Sequence, residues 1–347
     1  MKTSFGKYTL IERIGTGGMA EVFLAKSQGA EGLEKLLVIK RILPELAENN
    51  RFVEMFIGEA RIAVALNHPN IVQIYDFGKV DGDFFLAMEF VDGWDLGDLL
   101  NVSLREDRLA LGDAVFIALE VARGLDYAHR RRDEYGNPLE LVHRDISPQN
   151  LLVSRDGSIK IVDFGIAKAA NLEEENPHVV KGKFCYMSPE QASGEPVDHR
   201  SDLFSLGVVF FELVCNRPLF KQGTKEQTLS LVRSAVVPDI ANLVEDIPEQ
   251  LEGVLYKLLA RDPDERFQTA RELQSELTRV LYGMEEIHDS YTLSEYLARN
   301  ESWLDGDSSS LEPRRSGQTD TIRTSIIRTA ARTATTAERG NTIEMAM

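Results

Sequence analysis

Three residues of this chain could do polar chemistry together. Asp145 and Asn150 lie in Val142-His143-Arg144-Asp145-Ile146-Ser147-Pro148-Gln149-Asn150-Leu151-Leu152-Val153, and Asp163 follows in Ile161-Val162-Asp163-Phe164-Gly165. Apolar runs flank them, so each is predicted on a loop at the end of a strand. An Asp and an Asn at these offsets offer hard oxygen ligands to a divalent cation such as Mg²⁺, while the other Asp would face a hydroxyl.

Such loops need a frame. The chain has 347 residues and 43% hydrophobic content, enough for a two-lobed enzyme with extra segments. A formal charge of −17 argues against nucleic acid or an anionic membrane as the main partner. Cys185 and Cys215 are the only cysteines, which excludes a disulfide framework and a thiolate metal cluster. No apolar run reaches the roughly 18 residues that span a bilayer, and the N-terminus lacks a signal-peptide core. The expected setting is cytoplasmic and reducing, without direct membrane insertion.

Tyr8 to Ile14 reads as a strand, followed by Gly15-Thr16-Gly17-Gly18 and a second strand at Val22-Phe23-Leu24. The glycines therefore cap a hairpin, and their backbone N–H groups could approach a phosphate closely. A dinucleotide-binding turn would instead need a helix next. Leu36 to Lys40 is a buried strand ending in a cation, and residues 44–67 carry helical periodicity. Ile71 to Phe77 and Phe84 to Val91 read as strands. Leu111 to Arg130 reads as a helix with one apolar stripe through Ala114, Ile117, Val121 and Leu125. Arg130 to Pro138 is a turn-rich surface insertion, and Val197 to Leu213 is a mostly apolar helix suited to a buried centre.

In this order, the Gly loop, the strand lysine and the two polar loops resemble the protein kinases: H-R-D-x-x-x-x-N at 143–150 and D-F-G at 163–165. The Tyr186-Met187-Ser188-Pro189-Glu190-Gln191 run is similar to the bacterial Hanks-type serine/threonine branch. The resemblance covers about Tyr8 to Gly283. It implies an α+β bilobal fold: a small β-rich N-lobe (1–91), a larger helical C-lobe (92–283), a short helical extension (284–305) and a disordered Ser/Thr/Arg-rich tail (306–347).

The resemblance also implies site roles. ATP and Mg²⁺ would be the cofactors and proteins the substrates. Asp145 would accept or orient the substrate hydroxyl, and Asn150 and Asp163 would hold Mg²⁺. Lys40 would contact the α- and β-phosphates. Glu54 and Glu59 are both candidates to pair with it; Glu59 is taken, because its distance to His68-Pro69-Asn70 matches the family helix, and Glu54 is expected to face solvent. Ile14, Gly15, Gly17, Val22, Val38 and Leu152 would enclose the nucleotide. Met88 would be the gatekeeper, with the backbone of Glu89 to Val91 on the adenine edge. Asp95 would lie near the ribose, or else cap the next helix. Asp202 would bond the catalytic-loop backbone, Arg266 would pair with Glu190, and His143 and Phe164 would pack together.

Two departures stand out. Where serine/threonine kinases carry a lysine two residues after the catalytic Asp, this chain has Ser147. Where the family has Gly-Thr before the Pro-Glu motif, it has Gly182-Lys183. The pair reads as an exchange, in which the Lys183 ammonium fills the γ-phosphate site and Ser147 is its hydrogen-bond partner. The other reading is a solvated loop lysine and a slow enzyme. Between Asp163 and Met187 there is no Ser or Thr, so activity is not expected to need a Ser/Thr phosphate there. Glu173-Glu174-Glu175 could supply fixed charge or be a solvated loop.

In the tail, threonines recur directly after Arg323, Arg328 and Arg332. This makes it a candidate autophosphorylation substrate and phosphate-dependent docking segment for a phosphopeptide-binding partner, or a passive end. The leading expectation is an active serine/threonine protein kinase, and the alternative is a pseudokinase acting as a nucleotide-binding scaffold.

Overall fold

The computed structural model describes residues 3–16, 20–28, 33–47, 49–164 and 183–305. It divides into two compact units, one of Met1–Ala65 with Val72–Trp94 and one of Leu66–Ile71 with Asp95–Gly306. The first holds β1 (Thr3–Phe5), β2 (Tyr8–Thr16), β3 (Ala20–Gln28), β4 (Glu34–Ile42), α1 (Pro44–Ala47), α2 (Asn50–Val64), β5 (Ile74–Val80) and β6 (Asp83–Glu89). A short strand, β7 (Gly93–Asp95), follows.

Among the described residues these first six strands form one antiparallel sheet, ordered β1-β2-β3-β4-β6-β5. The alternating apolar residues of β2, β3, β4 and β6 bury one face around Phe5, Tyr8, Leu10, Leu37, Ile39 and Phe85. Polar residues tie the strands laterally: Glu21 accepts from Arg13 (2.9 Å) and Arg41 (2.8 Å), and the Tyr8 hydroxyl donates to Asp76 (2.8 Å). The helical periodicity of 44–67 resolves into two helices, α1 and α2. The strand expected from Ile71 starts only at Ile74, because Ile71 makes a parallel bridge to Ile161, and both residues belong to the second unit.

The second unit is helical. It contains α3 (Leu96–Arg105), α4 (Leu111–His129), the hairpin β8 (Leu151–Ser154) and β9 (Ile159–Ile161), α5 (Pro189–Ser193), α6 (Arg200–Cys215), α7 (Lys225–Ser234), α8 (Glu249–Leu258), α9 (Ala270–Tyr282), α10 (Ser290–Arg299) and α11 (Glu301–Leu304). A helix apolar on every face must be surrounded, and α6 is: Phe204, Phe210 and Phe211 are fully buried. The turn-rich 130–138 insertion closes as a tight hairpin, with a bridge between Arg132 and Pro138. Leu139 N–H donates to the Arg131 carbonyl (2.9 Å), and the Asp133 carboxylate accepts from the N–H groups of Tyr135 (2.9 Å) and Asn137 (2.8 Å). The extension expected as one helix is two, broken where the Asn300 side chain donates to Asp107 (3.0 Å) and to the Tyr296 carbonyl (3.0 Å).

Arg266 and Glu190 form the expected pair, through two parallel hydrogen bonds of 2.8 Å. Burial opposes the charge on Glu190, but the bonds from Arg266 and Ser201 outweigh it and hold the carboxyl below its usual range. The Arg266 side chain is wholly buried, so removing its partner strands a charge. Glu190→Ala should therefore cost about 3–5 kcal/mol of C-lobe stability in chemical denaturation, far more than an exposed pair would.

Candidate active site

The catalytic loop hangs from one carboxylate. Asp202, on the first turn of α6, is completely buried. Its oxygens accept from the backbone N–H groups of His143 (2.7 Å) and Arg144 (2.7 Å), and His129 Nε2 lies 2.8 Å from Oδ2. Burial alone would raise its pKa; the His129 bond and the His143 contacts overcome that and keep it low. The anion thus fixes the loop just before Asp145. Arg144 needs that support, since it sits at φ +65°, in the left-handed region that disfavours a side chain.

His143 faces inward. Burial pushes its imidazole below its ordinary range, against the pull of Asp202, Asp145 and Asp163. Its Nδ1 accepts from Asp145 N–H (3.2 Å), so the neutral ring carries its proton on Nε2 and donates to the Val162 carbonyl (3.0 Å). The ring also packs on Phe164, with centroids 4.6 Å apart. One side chain therefore links the loop of Asp145 to the loop of Asp163.

Asn150 completes the link. It is buried, and its Nδ2 donates to the Asp145 carbonyl (2.7 Å) and to Asp145 Oδ2 (2.9 Å). Its own carbonyl accepts from Val162 N–H (3.0 Å), next to Asp163, which is held at φ +56°. β8 and β9 start and end at these residues, Leu151 opposite Ile161. Asp145, Asn150 and Asp163 are thus joined by one hydrogen-bonded path. The Asn150 amide oxygen and the Asp163 carboxylate are hard donors that fit a divalent cation. Among the described residues no group of three or more His, Cys, Asp or Glu would hold a metal alone, so such an ion would complete its shell from phosphate oxygens and water.

Three supports are absent from the sequence reading. Asn70 donates to Glu120 (2.7 Å) and to the Ile159 carbonyl (3.0 Å), and its carbonyl receives Ile161 N–H (2.9 Å), which anchors β9. His129 is the second. Gln191 is the third, donating to the Arg144 carbonyl (3.0 Å) from a capping box with Ser188. The S-x-x-Q spacing of 188–191 is a capping signal that could have revealed it.

The other expected residues are placed as follows. Ser147 is fully buried, and among the described residues its Oγ has no hydrogen-bond partner. Lys183 opens a 3-10 turn, Lys183–Tyr186; its side chain lies outside the described residues, as do that of Glu59, the whole of Gly17, the 165–182 stretch with its glutamates, and the tail. In the first unit, Ile14, Val22 and Val38 are buried, Gly15 is partly so, and Lys40 is half-buried in β4, paired between Val22 and Leu86. Glu54 is exposed. Met88 is buried opposite Val38 in the sheet, and Val91 is also buried. The N–H of Glu89 donates to the Gln73 carbonyl (2.8 Å), so an adenine edge would have to use the Glu89 carbonyl instead. In the second unit Leu152 is buried. Asp95 caps α3 by accepting from Asp98 N–H (2.9 Å), the second of the two uses foreseen for it.

The chain that carries this loop pair, Asp145 and Asn150 hydrogen-bonded to the segment of Val162 and Asp163 beneath a helix carboxylate, is matched from residue 8 to residue 278 by the protein kinase domain family. The chain belongs to the bacterial Hanks-type protein kinases. It is 42% identical over 280 residues to tyrosine-protein kinase MasK of Myxococcus xanthus, covering 80% of this chain and 43% of MasK. It is 36% identical over 286 residues to serine/threonine-protein kinase PknB of Mycolicibacterium smegmatis (80% and 43%). Against PrkC of Bacillus subtilis it is 33% identical over 274 residues (78% and 40%). The chain therefore spans less than half the length of these relatives. The crystal structure of the Mycobacterium tuberculosis PknI kinase domain is similar with a TM-score of 0.60, 28% identity and coverage of 80% of this chain and 98% of that one. The expected kinase fold class, with a β-sheet N-lobe and a helical C-lobe, is borne out.

One buried acid of the kinase C-lobe titrates unusually. Glu212 on α6 accepts from the Tyr186 hydroxyl (2.8 Å), and burial pushes its pKa up to about 7 despite that bond and the field of Lys221. The unfolded chain ionises this carboxyl near 4.5 and the folded one near 7. Between those values the unfolded state holds fewer protons, so the term erodes stability as pH rises and is fully adverse above about 7. Glu212→Gln, which keeps an acceptor for Tyr186, should raise Tm by several degrees at pH 8, an effect of about 2–3 kcal/mol. The advantage should shrink steadily as melts are repeated toward pH 5.

Proposed function

We propose that this chain transfers the γ-phosphate of ATP to serine and threonine hydroxyls of proteins. The observation that carries the reading is Asn150, whose amide donates to Asp145 while its carbonyl receives Val162 beside Asp163. Asp145 orients the acceptor hydroxyl and takes its proton, while Asn150 and Asp163 hold the cation, here taken as Mg²⁺. When bound, that ion neutralises charge on the transferring phosphoryl group. Lys40 contacts the α- and β-phosphates and is steadied by Glu59. The Gly15–Gly17 loop, Ile14, Val22, Val38, Met88 and Val91 of the first unit contribute to nucleotide binding, as does Leu152 of the second. Serine/threonine specificity is supported by the names of PrkC and PknB and by the Ser188-Pro189-Glu190-Gln191 pattern. Cys185 and Cys215, both buried and unbridged, suit a reducing cytoplasm. Among the described residues no helix is long and apolar enough to cross a membrane.

The Ser147 hydroxyl supports the exchange with Lys183 over the pseudokinase reading. A buried hydroxyl without a partner is costly, and an ammonium reaching in from 183 would satisfy it while supplying the cation that the catalytic loop lacks. The Arg-Thr repeats of 323–333 make the tail a substrate of the same kinase, and the phosphorylated tail a docking segment.

Radiolabelled transfer from ATP to a generic protein should fall about 10²-fold or more in Asp145→Asn, in keeping with the loss of a general base; equal transfer would remove the assignment. Lys183→Ala should lower kcat by about tenfold with little change in the KM for ATP, since a γ-phosphate contact acts on the transition state. Full activity in that variant would return Lys183 to the solvent. Mass spectrometry after incubation with Mg-ATP should find phosphate on Thr324, Thr329 or Thr333.

A further inference from the structure

The kinase family match ends at residue 278, yet the ordered fold runs on through α10 and α11. This extension is built into the C-lobe. Leu293 and Leu297 are fully buried, and the buried Tyr296 donates its hydroxyl to the Asp107 carbonyl (2.6 Å). At the start of α4, the buried Asp113 receives Thr292 Oγ1 (2.9 Å) and lies 2.9 Å from His288 Nδ1. Gly112 has no room for a side chain, since a Cβ there would stand 2.0 Å from the His288 ring.

The same extension grips the turn between β8 and β9. Arg155, on that turn, pairs with Glu301 on α11, and with Asp305 at 3.5 Å. Gly157, at φ +80°, lies so close to the first residue of α10 that a Cβ would stand 2.0 Å from the Ser290 carbonyl oxygen. The opposite end of this hairpin carries Asn150 before β8 and Asp163 after β9. A strand of four residues is about 13 Å long, so the grip and the polar loops are the two ends of one short hairpin. Each ion pair, half-exposed, is worth little alone. Together with the backbone contact at Ser290 they fix the turn at separate points.

We propose that residues 284–305 are a positioning strap, acting through Arg155 and the β8–β9 hairpin to set the placement of Asn150 and Asp163 for the metal–nucleotide complex. This rests on the metal role given above to those two residues. Arg155 is a positioning residue: it touches no reacting atom, and its effect is relayed by the hairpin.

The test uses the full chain. Arg155→Glu places an acid against Glu301 and Asp305; the second variant adds Glu301→Arg and restores the opposite-charge pair. Two readouts avoid turnover: hydrogen exchange of the 151–163 amides, with α6 as internal control, and calorimetric ADP binding with and without Mg²⁺. Arg155→Glu is expected to speed exchange in 151–163 about tenfold with α6 unchanged. It should also weaken the Mg²⁺-dependent part of ADP binding by three- to tenfold, and the charge-swapped double variant should recover both. Unchanged hairpin exchange in Arg155→Glu would overturn the strap, and so would unchanged Mg²⁺-dependent binding while Asn150→Ala weakens it. If Asn150→Ala itself leaves that binding intact, the metal reading fails instead, and hairpin exchange then judges the strap alone.

Discussion

The Asp202 carboxylate is the constraint on which the catalytic loop depends. A fully buried anion is costly unless several donors meet it. Here the donors are the backbone of His143 and Arg144 and the ring of His129, so the stabilisation of the charge and the shaping of the loop are one set of bonds. The anion sits on α6, the most deeply buried helix described, and the loop inherits that helix's rigidity. Arg144 in a left-handed conformation costs about 1–3 kcal/mol. Two charge-assisted hydrogen bonds, at about 1.5–3 kcal/mol each, suffice to hold it.

From that anchor, order passes on through neutral groups. His143 stays uncharged because it is buried, and its two ring nitrogens meet one donor and one acceptor, which selects a single tautomer. A charged ring would have two donors and would repel Asp145 N–H, so the low pKa and the hydrogen-bond pattern require each other. Asn150 works similarly: an amide can donate to Asp145 and still present an oxygen, which a carboxylate at 150 could not do. The residue types at 143 and 150 thus follow from the donors and acceptors around them.

Much of this was legible in the sequence, because it is carried by short-range spacing. The Asp145–Asn150 and Asp163 loops, Asp202 and the Glu190–Arg266 pair are each marked by local runs. What escaped was long-range and polar. Nothing local tells Asn70 that Ile159 and Ile161 will lie beside it, or His129 that Asp202 will. Ile71 and Val72 are apolar enough for a strand, but the bridge to Ile161 takes Ile71 elsewhere. In the extension, Leu293, Leu297 and Leu304 sustain a helical period across Asn300, and only its bond to Asp107 shows why the helix stops there. The candidate site was clearest where backbone geometry demands particular side chains and least clear where a distant acceptor decides.

The same distinction bears on where strain can be stored. Arg144 and Asp163 both occupy left-handed backbone, and they flank the two ends of one hydrogen-bonded path. Such residues persist only where the surroundings fix them more than once. Arg144 is fixed by Asp202 from one side and by Gln191 from the other. Asp163 is fixed by its neighbours: Val162 is bonded through both N–H and carbonyl, and Phe164 packs on His143. The bond to Val162 N–H comes from Asn150 across the β8–β9 hairpin, so the register of that hairpin is part of what holds Asp163 in place. A hairpin of three residue pairs is weak by itself. Its apolar side chains are buried, Asn70 bonds one strand, and the extension grips its turn, so the loop chemistry is supported by elements well beyond the catalytic motifs.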